Sequence, residues 1–94
     1  MIEVIQEVGK EFNVSRPVLF SKDRISWLIS VRKFCAWLLR MSGHTYEAIS
    51  DETGMHHTTI LHHYNTFPEA FVNMEETTQD TIIKIIKKWQ NQQL

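Results

Sequence analysis

Between Ile25 and Met41 the chain carries its longest apolar pattern at helical spacing, and no glycine or proline interrupts it. At 100° per residue, Trp27, Leu28, Val31, Phe34, Cys35, Leu38 and Met41 share one broad face, with Lys33 and Arg40 opposite. A stripe this wide needs several neighbours to cover it, so the spacing predicts a central helix inside a bundle. Strand-like alternation is absent elsewhere, and only three glycines and two prolines punctuate the 94 residues. The reading is therefore one all-α domain, a compact bundle of five or six helices.

The punctuation sets the other elements. Ile2, Ile5, Val8 and Phe12 are spaced for a first helix of about three turns. Ser15-Arg16-Pro17 predicts an N-cap and a proline-bearing first turn, opening a short helix through Phe20. Ser21-Lys22-Asp23-Arg24 is a polar, mostly basic connection, and Ser42-Gly43 ends the central helix. Thr45 caps a short helix from Tyr46 to about Thr53, which Gly54 stops. A second helix follows from His56 and is expected to end at Pro68, with Ile60, Leu61, Tyr64 and Phe67 facing inward. Its other side carries Thr58, Thr59, His62, Asn65 and Thr66. Two helices joined by a tight glycine turn, the second with a polar outer face, form a helix-turn-helix over about 45–67. Asn73-x-x-Glu76 predicts a capping box for a last helix, about 74–92, whose inner face is Thr78, Ile82, Ile85, Ile86 and Trp89.

Charge narrows the function. The net value of −1 argues for no polyanionic partner, yet residues 10–40 hold seven bases (Lys10, Arg16, Lys22, Arg24, Arg32, Lys33, Arg40) against two acids. That third of the chain is +5, and the stretches before and after it are −2 and −4. No G-x-x-x-x-G-K-[ST] phosphate loop is present. No apolar run approaches the roughly 20 residues that cross a bilayer. Met-Ile-Glu-Val at the start lacks the layout of a secretory signal, and Cys35 has no second cysteine to pair with, so a reducing cytoplasm is expected.

Four histidines within eight residues raise a metal reading. The separations among His56, His57, His62 and His63 are 1, 5, 6 and 7, however, and two ligands on one helix need 3 or 4. A separation of seven puts the rings about 10.5 Å apart along the axis, too far for one zinc ion. Cys35 falls on the core stripe, where it reads as a small buried hydrophobe. Neither an enzyme, a metal nor a cofactor is expected. A polar helix N-terminus is, by contrast, a natural phosphate site, and His57, Thr58 and Thr59 add short donors beside its free N–H groups.

These residues resemble a known family. Leu19-Phe20-Ser21-Lys22-Asp23-Arg24, Val31-Arg32-Lys33, His44-Thr45-Tyr46-Glu47-Ala48-Ile49 and His57-Thr58-Thr59-Ile60-Leu61-His62 are similar to the C-terminal DNA-binding domain of the bacterial replication initiator DnaA. The resemblance covers roughly residues 4–67. It implies a Trp-repressor-like fold and sequence-specific binding of double-stranded DNA, in replication or its regulation or in transcription. It also implies that the second short helix reads the major groove while a loop arginine, here Arg24, enters the minor groove. Lys22, Arg32, Lys33, Thr45, His56, His57, Thr58, Thr59 and His62 would complete the contact surface. The family has Arg-Asp before His-Thr-Thr; this chain has Met55-His56 and a turn one residue shorter. A carboxylate there accepts from cytosine N4, whereas an imidazole N–H suits guanine N7 or O6, and its protonation would add attraction to phosphate. Asn65 and Thr66 stand where the family carries bases, as do Ser26 and Ser30, so general affinity is expected to be lower. A monomer or weak homodimer at the bacterial nucleoid, or a phage-encoded equivalent, fits this reading. The alternative is a degenerate member whose last helix, through Ile82, Ile83, Ile86 and Trp89, docks a partner protein.

Overall fold

The protein's structure is a computed structural model that describes residues 1–93. Six helices follow one another: α1 (Ile2–Phe12), α2 (Arg16–Leu19), α3 (Ser26–Met41), α4 (Tyr46–Thr53), α5 (His57–Val72) and α6 (Glu76–Gln93). The all-α expectation holds. α3 lies at the centre, packed against α5 most extensively and touching α1, α2 and α4.

α3 is covered on almost every side. Leu28, Val31, Phe34, Cys35 and Leu38 are buried as the stripe predicts, and Ala36 and Leu39 are buried too. Trp27 and Met41 are not: they lie in the first and last turns, only partly covered by the neighbouring helices, and stay 51% and 57% exposed. Cys35 is fully enclosed, which pushes its thiol up to about 12 and leaves it a packing residue. Lys33 and Arg40, expected on the open side, are only half-exposed.

α5 crosses α3, with Lys33 meeting Thr66 and Met41 meeting Tyr64. Phe34, Trp37, Phe67 and Phe71 form an aromatic cluster between the two helices, with Phe67 4.8 Å from the Trp37 ring and 5.9 Å from Phe71. This cluster corrects the expected end of the helix at Pro68. Proline there removes one backbone donor and crowds the preceding turn at a cost of about 3 kcal/mol. Phe67 and Phe71, one turn apart, pack from both sides of it, and α5 continues to Val72. The inner face also differs: it is Ile60, His63 and Phe67, and Leu61 turns outward at 44% exposure.

α6 lies antiparallel to α1. Lys84 pairs with Glu11 at 2.9 Å and Lys88 with Glu7 at 2.8 Å, while Ile82 and Ile85 are buried and Ile86 and Trp89 pack against the core. Ile83 remains 39% exposed. The expected capping box does not form. Asn73 ends α5 instead, its Nδ2 donating back to the Glu69 carbonyl at 3.1 Å, and α6 begins at Glu76. Gly9 allows the sharp reversal after α1: Val14 N donates to the Gly9 carbonyl, and a Cβ on Gly9 would meet the Val14 oxygen at 2.8 Å.

Candidate nucleic-acid interface

The turn between α4 and α5 is built from side chains read correctly as caps. Thr45 Oγ1 accepts from Ala48 N at 3.1 Å, starting α4. Gly54 ends it in the left-handed region at φ 78°, its N–H donating to Ser50 O. The Thr53 hydroxyl donates to Ile49 O and accepts from Met55 N, and the Met55 side chain is buried beneath the turn. His56 then caps α5: its Nδ1 accepts from Thr58 N at 3.1 Å and lies 2.8 Å from Thr58 Oγ1. An imidazole nitrogen that accepts an N–H must be unprotonated, so the neutral ring carries its proton on Nε2.

From this cap the outer face of α5 is polar apart from the exposed Leu61. His56, His57, Thr58, Thr59 and His62 are all exposed, and no acid occurs from Gly54 to Pro68. One turn beyond His62, Lys33 reaches across from α3 and donates to Thr66 Oγ1 at 2.7 Å, while Thr66 donates to the His62 carbonyl. Partial burial lowers the Lys33 pKa, and no carboxylate pairs with it among the described residues. Beneath it lies His63, which sequence reasoning did not single out as a core residue. Burial first, then the charges of Lys33, His62 and Arg32, lower its pKa to about 4, and its Nδ1 is enclosed without a partner. Its three-residue spacing from Ile60 was the available signal.

Arg32 behaves unlike the other bases. It is buried, and its guanidinium donates to the Leu19 carbonyl at 2.5 Å and to the Asp23 carbonyl at 3.4 Å. Desolvation lowers its pKa and the neighbouring Asp23 partly opposes that. Both carbonyls belong to the segment around Ser21–Arg24, which also folds on itself through Ser21 Oγ, accepting from Asp23 N and donating to Val18 O. Held in this way, Lys22 and Arg24 stay exposed. The structure thus brings Lys33 onto the face of α5 and turns Arg32 into the anchor of the basic loop. Thr45 sits exposed at the start of the helix preceding the turn. Among the described residues, no three of His, Cys, Asp and Glu converge as a metal set.

A capped helix, a glycine turn and a second helix whose first three turns present a mostly polar outer face without acids define a helix-turn-helix domain. The family model described as bacterial dnaA protein helix-turn-helix matches residues 1–66, and the chain belongs to this family, a DNA-binding one. The match runs from α1 through the basic loop and α3 into the middle of α5; α6 lies beyond it. No curated protein and no solved structure matches the chain significantly. No helix among the described residues is long and apolar enough to cross a membrane.

Proposed function

We propose that this chain binds double-stranded DNA at a preferred sequence, with the N-terminal half of α5 in the major groove and the Lys22–Arg24 loop in the adjacent minor groove. The observation that carries this reading is the mostly polar outer face of α5, free of carboxylates for about three turns, together with the exposed bases of a loop held by a buried arginine. Phosphate repels carboxylate and attracts that loop, so the surface suits a nucleic-acid backbone. In this arrangement Arg24 enters the minor groove, Lys22, Lys33 and Thr45 meet phosphates, and Arg32 acts through the loop. His57, Thr58, Thr59 and His62 face bases and backbone along α5. His56 presents Nε2–H as a donor, which fits guanine N7 or O6. A duplex-binding domain of this kind serves the regulation of replication or of transcription at the nucleoid.

The test is a fluorescence-anisotropy titration against mixed duplex DNA and against a duplex recovered from a random library by selection. With about four phosphates neutralised, log K against log salt should fall with a slope of about −3 to −4. Absence of binding at low salt refutes the reading and leaves the partner-protein alternative standing.

A further inference from the structure

Arg40 occupies a site that its position on α3 gave no reason to expect. Its Cζ lies 4.1 Å from the ring centroid of Tyr46, the first residue of α4, and 5.6 Å from that of Tyr64, two turns into α5. Nη1 donates to the His44 carbonyl at 2.6 Å in the connection between α3 and α4. Nε is closed off from solvent and has no partner. One planar cation therefore joins α3, the following connection, α4 and α5, with aromatic faces where a carboxylate would ordinarily be.

Its importance follows from the elements it joins at the start of α4. The buried side chains of α4 are Ile49, at the end of its first turn, and Thr53 in its last. From Thr45 to Ala48 none is buried, and α4 touches α3 only lightly. Tyr46, partly buried against the core, is the first-turn side chain that meets Arg40, and the same guanidinium reaches Tyr64 of α5. We infer that Arg40 is the positioning residue of the helix-turn-helix, fixing the first turn of α4 against α5 without contacting DNA itself. For its functional consequence this inference rests on the DNA-binding reading above. The clamp governs the separation of Thr45 from the His56–Thr59 turn, so its loss blurs recognition of the preferred duplex more than attachment to arbitrary DNA.

The experiment compares Arg40→Met, Tyr64→Leu, Tyr46→Phe and Tyr64→Phe by anisotropy on the selected duplex at several salt concentrations and by amide hydrogen exchange without DNA. Arg40→Met and Tyr64→Leu should each lose about tenfold in affinity for the selected duplex, the scale of one well-formed cation–π contact with its geometry. The salt slope should stay at the parent value, and amides in the first turn of α4 should exchange faster. Both phenylalanine variants keep the ring and should match the parent. A salt slope reduced by about one unit in Arg40→Met, with α4 exchange unchanged, would make Arg40 a phosphate contact and overturn the inference. Phenylalanine variants as weak as Arg40→Met would overturn it as well, because hydroxyl groups would then be the working parts. If the parent binds no duplex, the DNA-binding reading fails separately, and unchanged α4 exchange in Arg40→Met overturns the clamp by itself.

Discussion

Replacing His63 by leucine should convert a pH-sensitive bundle into one that tolerates mild acid. His63 lies 7% exposed under Lys33, with its pKa lowered from the usual 6.5 to about 4 and its Nδ1 unpartnered. The folded pKa lies below the unfolded one, so above pH 6.5 both states are neutral at this ring and it adds no pH dependence. As pH falls from 6.5 towards 4, the unfolded chain takes a proton that the folded chain refuses, and stability drops. The loss works out at about 2 kcal/mol by pH 5 and about 3 kcal/mol by pH 4, upper values for a ring that keeps some contact with solvent. For a domain this size that is a fall in Tm of about 8–16 °C between pH 7.5 and 5. His44, also lowered by burial and then by the N-terminal ammonium, contributes with the same sign, but it is present in both proteins and cancels in the comparison. His63→Leu removes the linkage and the unpaired nitrogen together, so it should also gain about 1 kcal/mol at pH 7.5. Urea denaturation of both proteins at half-unit steps from pH 7.5 to 5 reads the difference. Parallel curves for parent and variant over this range would refute the reasoning, since His63 would then accept its proton without leaving the fold.

Other outcomes follow from the same structure. Leu38→Ala, at a side chain 5% exposed between α3 and its neighbours, should cost about 2–5 kcal/mol in chemical denaturation. Arg32→Ala should release the loop by leaving the Leu19 and Asp23 carbonyls unpaired, lowering stability by about 1–3 kcal/mol and duplex affinity with it, a pairing of effects that Lys22→Ala should not show. Arg24→Ala should leave stability unchanged and weaken binding most on A·T-rich flanks, where a narrow minor groove concentrates negative potential, as titrations on paired duplexes would record. His56→Asp should keep the N-cap while exchanging a donor for an acceptor, so selection from a random library should recover cytosine at one position where the parent prefers guanine. The same motif from both proteins would remove His56 from the specificity residues.

Local chemistry reached the caps and the turn. Thr45, Gly54 and Gly43 act through hydrogen bonds or backbone freedom within four residues of themselves, and such features are legible without knowing what lies across the fold. Periodicity located the longer helices and most of α3's buried side chains, because a stripe that wide has no other stable fate, and the caps, proline and glycine marked the short ones. The resemblance on short motifs pointed to the DNA-binding family, and the exposed His56–Thr59 turn is where those motifs placed it.

Distance along the chain hid the rest. Pro68 is a helix breaker by its own chemistry, and only the aromatic cluster with Phe34 and Trp37, more than thirty residues earlier in sequence, carries α5 through it. Asn73 fits a capping box by spacing, yet the end of α5 claims its side chain first. Arg32, Lys33 and Arg40 are three similar bases on one helix. Tertiary packing alone makes the first an anchor for the basic loop, puts the second on the face of α5, and seats the third between two tyrosines. A charged side chain takes its role from the partners that desolvate it, and those partners are set by the packing of helices rather than by neighbours in the sequence.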